Sequence, residues 1–234
     1  GSQVQTLHHP PIQNPRKSLI YEGLFISSLQ SSPMDIFFLA VLAAVAGYAL
    51  KTQDERQRMA LLSSYLSRYQ IEKLMGSLIE GYLRALGEIA PERRDQVWQL
   101  LLPNEAQLCE QVSALVTQLA AADPAATRVS TLGFPLPQAT RWFPTASFDF
   151  REAMRLHAIG ITEVAQNKAG LSPRDQAYTM TAELLLMQHT CHWFCKSKPV
   201  ASMRLLARHK TTYEQVLAGV SARTRNAYSR LIEG

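Results

Sequence analysis

IFFLAVLAAVAGYAL, residues Ile36 to Leu50, is the longest uncharged apolar run in the chain, and Met34-Asp35 stand immediately before it. Its reading decides between a soluble helical bundle and a helical domain tied to a membrane. At about 1.5 Å per residue, such a helix is about 22 Å long, short of the roughly 30 Å hydrocarbon core. Lys51 can snorkel and Thr52 and Gln53 are uncharged, so the edge can stretch. Ile36, Phe37, Phe38, Leu39, Val41, Leu42 and Val45 each favour insertion by roughly 0.3 to 0.6 kcal/mol. A buried soluble helix would need neighbours on every side, because the run has no amphipathic period. Ala44-Val45-Ala46 resembles a signal-peptidase site, but Asp35 occupies the place where a basic n-region belongs. The run therefore reads as a single-pass anchor, with the core helix of a soluble protein as the alternative.

Upstream, Gly1-Ser2 resembles a protease-tag scar, and Pro10, Pro11 and Pro15 make residues 1–33 an extended, poorly structured extension. Met34 is the expected natural start. Lys51, Arg56 and Arg58 follow the run at once, and basic flanks stay cytoplasmic. This gives a bacterial-type inner-membrane protein, single pass, with the bulk of the chain in the cytoplasm; a soluble cytoplasmic chain is the alternative. Three cysteines, Cys109, Cys191 and Cys195, form no secreted disulfide framework and agree with a reducing compartment.

Three segments follow: 1–33, the anchor 34–53, and a helical domain 54–234. The fold class is all-α, a bundle-like single domain of roughly six to eight helices behind the apolar helix. From Asp54 to Leu86, apolar residues Leu62, Leu66, Tyr69, Met75, Leu78, Tyr82 and Leu86 recur mostly at three or four, one long helix ended by Gly87. Pro91 opens the next helix, which Pro103 interrupts; Asn104 with Gln107 resembles a capping box for a further one, stopped by Asp123-Pro124. Phe150, Met154, His157, Ile161 and Val164 make an apolar seam. Ser172, Pro173 and Asp175 are an N-cap, a first-position proline and an acidic N3, and the helix they open, apolar on all sides at Leu184 to Met187, is the expected central one. Short helices follow near 200–208, from Thr211, and over 222–232.

Residues 124–147 carry four prolines and read as the one long irregular stretch. Leu132, Phe134, Trp142 and Phe143 are expected to cover the core; Phe134, Arg141, Trp142 and Phe143 are the candidate partner-binding residues.

Cys191, His192 and Cys195 share one face of a helix, which is the donor chemistry of a zinc or other transition-metal site, with His157, His209 or Cys109 as a fourth ligand. Against it, Cys191 continues the apolar stripe Ala177, Met180, Leu184, Met187, and buried cysteine behaves as a small hydrophobe. His157 on its seam reads as a core histidine in need of a hydrogen-bond partner.

The net charge of +5 is uneven: residues 196–234 hold eight basic residues against Glu214 and Glu233, a local +6, and the remainder sums to −1. Arg204, Arg208, Lys210, Arg223, Arg225 and Arg230 form the candidate basic surface, for anionic lipid or an acidic partner. Leu217 to Ser221 resembles the turn of a helix-turn-helix, but Gln215 and Arg225 stand where that motif packs a small residue and an apolar anchor, so nucleic-acid binding is not expected. No phosphate loop, dinucleotide fingerprint, nucleophile elbow, H-E-x-x-H or E-x-x-H pair occurs, and the carboxylates read as solitary residues on polar faces. The expectation is a membrane-anchored protein that binds an unknown protein partner or a membrane surface, with no cofactor and no motif that argues for an enzyme; a helical metal or redox protein is the alternative.

Overall fold

The computed structural model describes residues 33–133 and 136–233. The expectations for residues 1–32 and for Phe134 lie outside the described residues. Nine helices and one small ribbon are present among them, so the fold is all-α. The chain divides into two units, Gly1–Tyr48 and Ala49–Gly234. In the first, the described residues belong to one helix, α1, which runs Pro33–Leu66 and continues into the second. Its eighteen-residue apolar window is long enough to cross a membrane and none of it is buried.

The second unit has a single hydrophobic core. After Leu66, the chain turns and restarts as α2, Ile71–Gly87, so the helix expected over 54–86 is two. The break falls where the apolar spacing slips to six, between Tyr69 and Met75, and the Gln111 side chain accepts the Gln70 N–H at 2.7 Å. Helix α3, Pro91–Leu119, packs against α2. It runs straight through Pro103, contrary to the expected interruption and the expected cap at Asn104. A proline there costs a helical hydrogen bond, on the order of 3 kcal/mol. Pro103 lies on the exposed face, while Leu101, Glu105 and Leu108 around it are buried on the other, and that burial holds the helix together.

The segment read as irregular folds into β1, Arg128–Ser130, a four-residue helix α4, Ala139–Trp142, and β2, Ser147–Asp149, antiparallel to β1 with Val129 opposite Phe148. Strand alternation turns Val129 and Phe148 inward. These two and Ala139 cover the core; Trp142 and Phe143, expected to do so, are exposed, and Leu132 is half-buried. Phe148 meets Trp193 edge-on at 5.1 Å, and Trp193 Nε1 donates to Ser130 O at 3.0 Å.

Asp149 caps α5, Phe150–Ala165, accepting the Arg151 N–H. Ser172 caps α6, Pro173–Cys195, accepting from Asp175 N, and Pro173 stands in its first turn, as the sequence indicates. Around α6 are gathered α5, α7 (Lys198–His209) and α8 (Tyr213–Gly219), while α9 (Ala222–Glu233) packs on α5. Helix α8 is capped by Thr212 in a reciprocal box with Gln215, one residue later than read.

The approach of α5 to α6 and α9 depends on a missing side chain. A Cβ at Gly160 would stand 2.4 Å from Thr224 Oγ1 and 2.6 Å from Glu183 Oε2, whereas one at Gly76 in α2 would meet nothing. Substituting alanine at the two is expected to act in opposite directions in chemical denaturation. Gly160→Ala should lose about 1 to 3 kcal/mol from overpacking, and Gly76→Ala should gain about 0.5 to 1 kcal/mol from helix propensity.

Candidate functional site

Helix α6 carries polar side chains where no water reaches. Glu183 lies between Met180 and Met187 on one face, and it is fully buried. Its Oε1 accepts the Ser221 N–H at 3.1 Å, just ahead of α9. Thr190 Oγ1 donates to Leu186 O and is 2.9 Å from both His157 Nε2 and Tyr228 OH. One hydroxyl proton serves one acceptor, so the histidine and the tyrosine are the donors and His157 carries its proton on Nε2. His157 thus has the partner its buried position demands, while its Nδ1 meets none. His189 Nε2 hydrogen bonds Ser202 on α7. Glu105, also buried, accepts from Tyr82 OH at 2.6 Å.

Burial sets the charge states. It pushes Glu183 up to about 7, against the opposing hydrogen bonds of Thr224 and Ser221. It pulls His157 down to about 3, helped by His189, and His189 down to about 4, helped by Lys198. The burial of Glu183 and Glu105 escaped the sequence reading, which placed carboxylates on polar faces. The signal was there: Glu183 is three residues after Met180 and four before Met187, and Glu105 is four after Leu101 and three before Leu108.

Below Glu183, the C-terminal third of α6 does not meet another helix along its whole face. There a cavity of about 620 Å3 opens between α6, the end of α1 and the start of α2. Its floor is buried Leu62, Ile71, Met75, Leu115, Met154 and Met187; its rim is exposed Met59, Ser63, Ser67, Gln70, Glu72 and Lys73. Cys191, His192 and Cys195 form one wall of it, half-buried. The shared face read from the sequence is therefore real, and it faces a space.

That wall has little metal character. Among the described residues, no group of three or more His, Cys, Asp or Glu side chains is gathered to hold an ion. Cys191 Sγ donates to Met154 Sδ at 3.8 Å. Burial pushes the Cys191 thiol up, and pushes Cys195 up against the opposing charges of Arg58 and Arg204, so both stay protonated at neutral pH. Of the suggested fourth ligands, His157 is bonded to Thr190, His209 to Gln188 at 3.1 Å, and Cys109 packs half-buried against the core away from the cavity.

The partner-binding and basic residues are scattered. Arg141, Trp142 and Phe143 are exposed on and just after α4, with Trp142 71% accessible. Arg223 pairs with Glu163, Arg225 donates to Ala218 O, Arg230 to Asn226 O and Lys210 to Ala207 O. Arg204 and Arg208 stand together on α7. Helix α8 packs on α6 and α9 on α5. Comparison with protein-family models, curated proteins and solved structures finds no match.

Glu183 has a signature in pH. A carboxyl whose folded value is raised adds stability that is full below its unfolded value of 4.5 and lost as pH climbs to about 7. Glu183→Gln cannot ionise. Its stability relative to the wild type is expected to rise from pH 4.5 to 7, by at most about 1.4 kcal/mol per unit, and then level off. Urea unfolding at four or five pH values measures this; a difference constant across the range would contradict it.

Proposed function

We propose that the chain is a membrane-anchored binding protein: α1 holds it in a bilayer, and its helical domain takes an apolar ligand into the cavity beside Cys191, His192 and Cys195. The observation that carries this reading is the cavity itself, a buried apolar floor under a polar rim, within the roughly 300 to 1,000 Å3 that ligand sites occupy. Four methionines, Met59, Met75, Met154 and Met187, line it, and their flexible thioethers adapt to an irregular apolar guest.

The anchor rests on a helix that is apolar, uninterrupted and without cover over its window. Counted from Pro33 to Leu50, its uncharged surface reaches roughly 27 Å at the standard rise, interrupted only by Asp35 in the first turn. Lys51, Arg56 and Arg58 at its far end favour the cytoplasm for the helical domain, of an inner membrane if the source is bacterial. A second surface also supports a binding role: Trp142 and Phe143, with Arg141 beside them, offer exposed aromatic anchors of the kind that bury at protein interfaces.

Two expected outcomes test the reading. The full chain should stay in the membrane pellet through an alkaline wash. Leu39→Arg with Leu42→Arg, each costing about 2.5 to 3.5 kcal/mol at a span centre, should release it; retention of the double variant would remove the anchor. The neutral fluorophore N-phenyl-1-naphthylamine should bind with enhanced emission. Ser63→Trp, which plugs the rim from an exposed position, should weaken that binding about tenfold or more; unchanged binding would remove the cavity.

A further inference from the structure

Gln188 and His192, one turn apart on α6, stand in two walls at once. On one side they close the apolar cavity. On the other they line a second hollow of about 450 Å3 with His189, Leu205, Arg204 and Arg208. Arg204 and Arg208 are themselves one turn apart on α7, so their guanidinium groups lie on one face of that helix.

These two arginines are among the cations that carry no counter-charge. Arg58, Arg151, Arg155, Arg223, Lys51 and Lys196 each pair with a carboxylate, whereas among the described residues neither Arg204 nor Arg208 does. Both are exposed, at the mouth of the second hollow. Their field reaches the shared wall: after burial, Arg204 is the largest influence holding His192 below its ordinary value, with Arg208 and His209 adding to it and Glu72 opposing. Glu72 has Lys73 beside it on the far rim, so the rim carries no net charge there. The result is an apolar hollow with a cationic one across the shared Gln188–His192 wall.

We propose that the two cavities together bind a single-chain amphiphile with an anionic head group. The hydrocarbon tail lies over Leu62, Met75, Met154 and Met187, and the phosphate or carboxylate head is received by Arg204 and Arg208. This rests on the reading of the apolar cavity as a ligand site and adds the polar half of the ligand. Paired guanidinium groups suit an oxyanion because each presents a planar fork of donors, and a chain tethered to a bilayer sits where such molecules are concentrated.

The cavity supplies its own reporter. Cys195 lines the apolar cavity and Cys109 does not, so occupancy should slow alkylation of the first and leave the second alone. The full chain, in discs of neutral phosphatidylcholine, is treated with N-ethylmaleimide and read by peptide mass, with oleoyl lysophosphatidic acid, monooleoylglycerol or inorganic phosphate added. Lysophosphatidic acid should protect Cys195 at a concentration about tenfold or more below monooleoylglycerol, the difference that one or two charge-assisted hydrogen bonds make. Arg204→Ala with Arg208→Ala, both exposed helical positions, should bring the two lipids level without changing the monooleoylglycerol value or Cys109 reactivity. Equal protection by both lipids in the wild type would overturn the anionic head and leave the cavity reading standing. Protection by neither would overturn both. Protection by phosphate alone would assign the arginines to a free anion, and protection that grows with protein concentration without lipid would assign the cavity to a second copy of the chain; each overturns the proposal.

Discussion

The helical domain depends on burying a helix that is not wholly apolar. Helix α6 is enclosed on every side along its middle, and Glu183, His189 and Thr190 go into the core with it. An unpaired buried polar group costs on the order of 1 to 3 kcal/mol, so each must find a partner, and each finds it on an element other than α6. Glu183 holds the start of α9, His189 holds Ser202 of α7, and Thr190 gathers His157 of α5 and Tyr228 of α9. Leucines alone would drive the same collapse, but they would not specify which helix lies where. The polar contacts give α6 one set of neighbours.

The same enclosure explains where the cavity is. From Ala182 to Leu186, α6 is packed all round; from Met187 onward its face toward the end of α1 and the start of α2 is only partly filled. The turn at 67–70 swings the chain from one helix to the next just there, and long flexible methionines line what is left. On the opposite side, the C-terminus of α6 is held firmly: Trp193 is clasped by the β1–β2 ribbon, Phe194 stacks on Phe150 at 4.3 Å, and Lys196 pairs with Glu55 at 2.5 Å. A rigid wall beside an unfilled space is the arrangement a ligand site needs, since the wall keeps its shape when the space is empty.

Much of this was legible in the residues. The seam from Phe150 to Val164, the Ser172-Pro173-Asp175 start and the all-round apolar stretch at Leu184 gave α5 and α6 directly, because caps and period are local. The failures were tertiary. Pro103 reads as a breaker until Leu101, Glu105 and Leu108 are seen to be buried on the opposite face. Residues 124–147 read as loop because three-residue strands leave too short a period to notice. The Cys191-His192-Cys195 face was visible, but the space in front of it is formed by Leu62, Ile71 and Leu115 from three other helices, and no spacing along the chain announces a void. Arg204 and Arg208 could be named as basic, yet what sets them apart from Arg223 is the lack of a carboxylate partner, which only the fold decides.

The central claim is that the cavity beside α6 holds a ligand. The most direct measurement is the intact mass of the protein taken from membranes in mild detergent and transferred without denaturation into a mass spectrometer. The expected result is a population heavier by one amphiphile that is released as an anion on collisional activation. A bare polypeptide mass under conditions that preserve the fold, with no lipid enriched above its abundance in the membrane, would contradict it.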